Sequence, residues 1–457
     1  MQPTLTGEVV TPHDPSYPAA RMDFNRRFDR FPRYVVFCRS VRDVQTAVRW
    51  SRQHRLPLRA RSGRHSYEAY SVLDGGVVID VSPLNAVART GDTASVGAGA
   101  TLGQVYDALW ADGQVTIPAG SCTGVGIAGL TLGGGFGLLV RCLGLACDSL
   151  VGLEMVDAGG RLVRAAPDLL WASRGGGGGN FGIVTRFEFR VHPIDHVTVY
   201  SVSWPFGALR AVFGAWQGWA DPQGLDRRLT PILVLGPGGV TALGQFVGPQ
   251  AELERLIAPL VRAAPPSSVR VVYETYIEAV HRFVGEWAYE PALSRFKNTS
   301  AYQFEAFPEP AVQTLVSWLQ RAPSPNTAVQ FNLHGGAEAD FADGAYPWRA
   351  ARCSLQYQAY WQDPADGPAA VGWVNGLRRA MLPWTRGAYV NYIDADIADW
   401  PDAYYAGSLP RLLRVKRRYD PGNVFDFPQG LSSARRGPGY RPSGAAPRPS
   451  GSTPARR

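Results

Sequence analysis

Lysine is nearly missing from this 457-residue chain: of 46 basic residues, only Lys297 and Lys416 are not arginine. The skew reads as the codon preference of a GC-rich bacterial genome, not as a binding device. No apolar run of about 18 residues occurs, so no membrane-spanning helix is expected. The segment Met1 to Arg33 lacks a basic stretch followed by an apolar core, which predicts no secretory signal and a cytoplasmic chain. Cysteines are few and odd in number: Cys38, Cys122, Cys142, Cys147 and Cys353. That count in a long chain excludes a disulfide framework. Cys142 and Cys147 have neither a second pair nor a close histidine, so no metal site is expected.

Acidic residues are absent from 113–147. This decides the meaning of Gly97-Ala98-Gly99-Ala100-Thr101-Leu102-Gly103, which follows a strand and opens a helix. A Rossmann unit needs an acid about 20 residues beyond such glycines to hold a ribose. None is there, and that reading is rejected.

The net charge of +8 is concentrated at one end: the last 26 residues carry six arginines and no acid, leaving +2 on the remainder. The stretch 431–457 is rich in Pro, Gly, Ser and Ala and is expected to be disordered. Charge therefore argues against nucleic acid as a partner. Length predicts two or three domains at about 150 residues each, and 45% hydrophobic residues suffice for a large core.

Up to residue 195, short strands alternate with helices. Strands are predicted at 34–38, 58–61, 77–81, 94–97, 151–156 and 183–191. Ser40 with Asp43, and Thr101 with Gln104, form capping-box patterns that open helices running to about His54 and Ala111. Beyond His192-Pro193 the strands lengthen: 197–204, 232–247, 328–334 and 353–361, with a last helix at about 403–419. Long strands with helices between them predict an antiparallel sheet covered by helices on one face. The expected architecture is α+β, with units at 1–195 and 196–404 and a segment 405–430 returning to the first.

The informative segments are Arg59-Ala60-Arg61-Ser62-Gly63-Arg64-His65-Ser66-Tyr67 and the glycine-rich run from Gly120 to Gly137. Glycine at this density lets the backbone approach a ligand and turn N–H donors toward anionic oxygens, as a pyrophosphate requires. Apolar residues interleave these glycines, unlike a flexible linker. Further segments are Trp171-Ala172-Ser173-Arg174, the five glycines 175–179 followed by Asn180-Phe181-Gly182-Ile183-Val184-Thr185, Tyr389-Val390-Asn391-Tyr392-Ile393-Asp394, and Tyr419-Asp420-Pro421-Gly422-Asn423-Val424-Phe425.

Together these motifs resemble the FAD-linked oxidases of the vanillyl-alcohol oxidase type (PCMH-type FAD-binding fold), and in particular the berberine bridge enzyme-like family. The resemblance spans about residues 33–430. It implies FAD bound covalently through His65, to the flavin 8α-methyl, and through Cys122, to flavin C6. Around His65 it assigns Arg61, Ser62, Gly63, Arg64 and Ser66 to the cofactor. From the glycine-rich run it assigns Gly120, Thr123, Val125, Gly126, Gly129, Leu130, Gly133 and Gly134. Gly182, Ile183, Val184, Asn391 and Tyr392 complete the set. Arg64 stands where the family has a glycine, a strained choice if that position needs φ > 0.

The resemblance also implies the chemistry. Tyr389 would take a hydroxyl proton while hydride leaves for flavin N5, with Asn391 assisting. An unperturbed phenol has a pKa of about 10, so a tyrosine base needs its phenolate stabilised. Placed on a strand, residues 389 and 391 would share a face and Tyr392 would turn to the core. Gln356 and Tyr67 would line the pocket. A lysine frequent in the family two residues before Gln356 is Ser354 here, so phenolate stabilisation must come from elsewhere. Val125 matches the position of an oxygen gate, which favours O2 as acceptor and H2O2 as product. The expected partners are O2 and a small-molecule substrate, with no nucleic acid and no membrane, for a monomer or homodimer. The substrate is expected to be an alcohol of a secondary metabolite. The alternatives are a carbohydrate oxidised at its anomeric carbon, and a dehydrogenase with another acceptor.

Overall fold

Valine-rich segments set up the first sheet. The computed structural model describes residues 5–283 and 295–435, so the expected tail lies outside the described residues from 436 onward. Strands Tyr34–Phe37, Val77–Asp80 and Leu58–Arg61 lie parallel, with Val77–Asp80 in the middle. All four of its residues are buried, as a strand covered on both faces requires. Glu8–Val10 adds an antiparallel edge. Helix Val41–Gln53 forms the crossover and carries the expected capping box: the Asp43 N–H donates to Ser40 Oγ, and the Ser40 N–H donates to the Asp43 carboxylate. Thr101 and Gln104 cap helix Leu102–Ala111 in the same way.

A second, five-stranded antiparallel sheet runs in the order Val87–Thr90, Thr93–Gly97, Ile183–Arg190, Leu150–Val156, Leu162–Arg164. The first two sheets share one hydrophobic core with the C-terminal helix Leu409–Tyr419, whose Leu412 and Val415 are buried in it.

The third sheet is antiparallel and seven-stranded, in the order Ser268–Thr275, His196–Trp204, Gly239–Phe246, Leu229–Gly236, Thr327–Leu333, Cys353–Trp361, Arg295–Gln303. Strand alternation divides its two faces. Val329, Phe331, Leu333, Leu355 and Tyr357 enter a core with Trp216, Leu253, Leu315 and Trp373 from the covering helices. The intervening residues, Gln330 and Asn332 among them, face the cavity on the other side.

Four details differ from the sequence expectation. The segment 232–247 is two strands, Leu229–Gly236 and Gly239–Phe246, because Gly236-Pro237-Gly238-Gly239 makes a hairpin turn with Gly239 at φ 149°. The last helix is broken into Trp400–Tyr405 and Leu409–Tyr419, with Ala406 at φ 41° between them and Pro410 in the first turn of the second. Two strands lie outside the expected set: Ser268–Thr275, although its Val269, Val271 and Tyr273 alternate, and Arg295–Gln303, which carries too many polar residues for hydrophobic alternation to reveal it. Tyr389 and Asn391 are not on a strand: Val390–Tyr392 is a 3₁₀ turn, and the Tyr389 N–H donates to Ser300 Oγ at 2.8 Å instead of to a neighbouring strand. Among the described residues no helix is long and apolar enough to cross a membrane.

Candidate active site

The turn around His65, the glycine-rich run, the segment after the five glycines and the polar face of the seven-stranded sheet enclose a cavity of about 380 Å³. Two glycines make its floor possible. A Cβ on Gly63 would lie 2.2 Å from the Gly126 nitrogen, and one on Gly126 would lie 2.5 Å from the Gly63 nitrogen. The His65 turn and the Cys122 segment thus meet backbone to backbone, and any side chain at either position would push them apart. Arg64 sits at φ 62°, the strained conformation the sequence raised, and its Nη1 donates to the Ala19 carbonyl at 3.1 Å.

Most of the sequence-assigned cofactor residues lie on the cavity wall: Arg61, Ser62, Gly63, Arg64, His65 and Ser66; Gly120, Cys122, Val125, Gly126, Gly129 and Leu130; Gly182, Ile183 and Val184; Asn391 and Tyr392. Thr123, Gly133 and Gly134 do not. The Thr123 carbonyl accepts the Gly103 N–H at 2.9 Å and so caps a helix. Gly133 lies under Asn391, where a Cβ would come within 2.0 Å of Oδ1. The Gly134 N–H is turned to the Thr131 carbonyl at 3.1 Å.

Tyr389 and Tyr67 line the cavity, whereas Gln356 stands behind it. Gln356 Nε2 donates to the Tyr67 phenol oxygen at 3.1 Å. Tyr67 in turn stacks on Tyr392, with centroids 5.3 Å apart and planes 4° from parallel. Tyr392 therefore faces the cavity and not the core, a consequence of the 3₁₀ turn.

The Tyr389 phenol oxygen accepts two hydrogen bonds, from the Gly135 N–H at 2.8 Å and from Asn391 Nδ2 at 2.9 Å. A second bond from Asn391 Nδ2 to the Leu130 carbonyl, 2.9 Å, fixes that amide. Burial pushes the Tyr389 phenol well up from its ordinary value, and these two donors pull it part of the way back. Burial also lowers His65 to about 4, so its imidazole is neutral at pH 7. Tyr67 and Tyr392 are pushed up by burial as well.

Sequence reasoning missed several wall residues. Thr230, Gln330, Asn332 and His334 project from the sheet. The alternation 330, 332, 334 is the signal that could have found them. Gln330 Nε2 donates to Asn332 Oδ1 at 2.8 Å. His334 is buried with Nδ1 2.8 Å from the Glu338 carboxylate, and its Nε2 has no hydrogen-bond partner among the described residues. In the sequence Gly135 is one glycine of a run, with nothing local to mark it.

The wall suits a large, partly anionic cofactor. Arg61 is buried, with Nε on Asp80 at 2.6 Å and Nη2 on the Ala20 carbonyl at 2.7 Å, yet its Nη1 is sealed from solvent with no partner among the described residues. Such an orphaned donor at a cavity wall is what an anionic oxygen would satisfy. A Cβ on Gly129, also on the wall, would meet nothing within 4 Å. His65 and Cys122 supply nucleophiles on the same wall.

Fold and cavity together define a flavoprotein oxidoreductase with a PCMH-type FAD-binding fold. A family model described as FAD binding domain matches residues 32–166, and one described as berberine and berberine like matches residues 388–432. The chain is 42% identical to an uncharacterized FAD-linked oxidoreductase, YgaK, of Bacillus subtilis (strain 168), over 94% of this chain and 98% of the relative. It is 26% identical to a chitooligosaccharide oxidase of Gibberella zeae, covering 89% of each chain. The structure of Physcomitrella patens BBE-like 1 superposes with a TM-score of 0.87 at 30% identity, over 93% of this chain and 97% of that one. The chain belongs to the berberine bridge enzyme-like family of FAD-linked oxidoreductases.

Proposed function

We propose that the chain is an oxidase that holds FAD through both His65 and Cys122 and oxidises an alcohol carbon of a secondary metabolite, with O2 as acceptor and H2O2 as product. Residues 1–195 and 405–430 form the FAD unit in this reading, and 196–404 the substrate unit. The observation that carries it is the pair of donors on the Tyr389 oxygen, from Gly135 and Asn391. A phenol used only for packing has no need of two fixed N–H groups aimed at its oxygen. A phenolate base does, because each donor stabilises the charged form more than the neutral one.

Bound FAD supplies the hydride acceptor and, through O2, the route by which it is reoxidised. The chain supplies the rest. Arg61, Gly63, Gly126 and Gly129 accommodate the cofactor, and His65 and Cys122 tether it. Tyr389 takes the substrate hydroxyl proton at its phenol oxygen. Asn391 and Gly135 stabilise the phenolate form that accepts this proton. Gln356 fixes the Tyr67 ring through its hydroxyl, and Tyr67 with Tyr392 gives an aromatic wall that orients the substrate and excludes water. Val125 keeps a narrow side chain at the proposed oxygen path.

A second reading, oxidation of a carbohydrate at its anomeric carbon, is favoured by the polar strip Thr230, Gln330 and Asn332 and by the likeness to a chitooligosaccharide oxidase. One experiment separates the readings. Purified holoenzyme is mixed without air with benzylic and allylic alcohols, and separately with cellobiose and chitobiose, and flavin bleaching is followed. Air is then admitted and peroxide measured. Bleaching by alcohols with one peroxide per flavin supports the proposal. Bleaching by sugars alone moves the assignment to the second reading. Reoxidation that takes minutes and yields no peroxide removes O2 as the acceptor.

A further inference from the structure

His65 is proposed above as a tether, yet no hydrogen bond holds its imidazole among the described residues. Its ring contact is with Phe24: the centroids are 4.1 Å apart and the planes 22° from parallel. Phe24 belongs to a segment fastened to the same turn. Its N–H donates to the Arg64 carbonyl at 2.9 Å. Next to it, Asn25 Nδ2 donates to the Tyr67 carbonyl at 2.8 Å and to the Phe296 carbonyl at 3.0 Å, while Asn25 Oδ1 accepts the Phe296 N–H at 3.1 Å. On the other side, Ser71 Oγ donates to Asp23 Oδ2 at 2.9 Å.

We infer that Phe24 is the positioning residue for covalent flavin attachment at His65; the inference rests on the proposed His65 tether. A face-to-face stack fixes the plane of the imidazole but leaves both nitrogens, which lie in that plane, unobstructed. A hydrogen bond to either nitrogen would instead occupy an edge or commit a lone pair. The attachment step needs a neutral ring with a lone pair aimed at the 8α-carbon. The new bond joins an imidazole nitrogen to that carbon, while one C–H and one N–H bond break. The electron pair passes to the flavin ring, and O2 finally takes the two electrons and two protons as H2O2. Orientation at the start of such a step governs its rate. Burial beneath Phe24 also keeps the imidazole unprotonated.

The test reads the tether and not turnover. Because the proposed Cys122 bond would retain flavin by itself, the comparison is made in a Cys122→Ala background. Cys122→Ala and Phe24→Ala/Cys122→Ala are purified, and covalent flavin is read as fluorescence of the protein band after denaturing electrophoresis. Total flavin is read by absorbance before denaturation. Growth of the fluorescent band during incubation with added FAD in air gives the attachment rate. The expected result is an attachment rate about three- to tenfold lower in Phe24→Ala, the scale of one aromatic stack, with total flavin retained and the rate restored by Phe24→Tyr. The Asp23 and Asn25 anchors remain in the variant, so the turn keeps its place. Equal rates in the two proteins would overturn the inference. So would a failure of Phe24→Tyr to restore the rate lost in Phe24→Ala, which would mark a general loss of packing. If Cys122→Ala itself carries no covalent flavin, the His65 tether is wrong, and the inference falls with it by a visibly different route.

Discussion

The Gly135 amide N–H points at the Tyr389 phenol oxygen across 2.8 Å, joining two residues 254 positions apart in the chain. Gly135 can do this because it sits at φ 83°, which turns its N–H out of the local chain direction, and because its Cα–H side packs so closely on Leu130 and Ala146 that a Cβ would lie 2.5 and 2.8 Å from their side chains. With Asn391 on the same oxygen, the phenol's own proton has to point elsewhere. The cavity is the direction left open.

The first expectation concerns Tyr389 itself. Tyr389→Phe should retain flavin, because the cofactor-side wall is untouched, and should slow anaerobic flavin reduction by about 10²- to 10⁴-fold, the usual worth of a positioned base. Stopped-flow bleaching measures it. A full-speed half-reaction would remove Tyr389 from the mechanism.

The second concerns pH. Burial holds Tyr389 above the ordinary phenol value, so the protonated form dominates at neutral pH and the reduction rate should climb with rising pH. Asn391→Ala deletes a donor that favours phenolate, and this raises the phenol further. The rising limb should therefore move to higher pH. Gly133→Ala should do the same without deleting a polar group, since its methyl would lie 2.0 Å from Asn391 Oδ1 and displace that amide. A pH–rate profile that both variants leave in place would count against the paired-donor account.

Much of this site is legible in the sequence, and the reasons for the remainder are physical. The turn at His65 and the glycine-rich run announce themselves because close backbone approach admits only glycine, as the contact between Gly63 and Gly126 shows. Both helix caps are legible because a capping box is local. Gly135 is not, since its role depends on a residue on the far side of the fold. Nor is the face that Tyr392 presents: a tripeptide with an asparagine at its centre reads equally as strand or 3₁₀ turn, and the choice is made by Ser300, whose Oγ takes the Tyr389 N–H. Strand Arg295–Gln303 escapes for a related reason. Its buried Lys297 is neutralised by Asp394, Glu68 and Asp396, which come from other segments, so a core strand carries a sequence that looks exposed.

The third expectation separates the two tethers. Cys122→Ala should give a yellow protein, with flavin held through His65 and a slower reductive half-reaction, because a thioether on the ring withdraws electrons and raises its potential. Spectroelectrochemical titration reads the potential directly, and an unchanged midpoint would count against the Cys122 bond.

The last expectation concerns stability. His334 and Glu338 are both fully buried, and the imidazole Nδ1 lies 2.8 Å from the carboxylate. His334→Ala leaves that carboxylate in the interior without its partner, which should destabilise the fold by about 3–5 kcal/mol. Replacing both residues by leucine removes the stranded group along with the pair, and apolar neighbours are at hand, since Phe136 and Tyr302 pack edge-on against the imidazole at 5.5 and 5.9 Å. The double variant should therefore regain most of what the single one loses, as a buried pair exchanged for well-packed side chains often does. Urea unfolding of the three holoenzymes, followed by tryptophan fluorescence, measures the difference. If the double variant is as unstable as His334→Ala, the loss does not come from an unpartnered carboxylate, because none is left and leucine refills the volume that alanine removes. The polar contact itself would then be what the site requires.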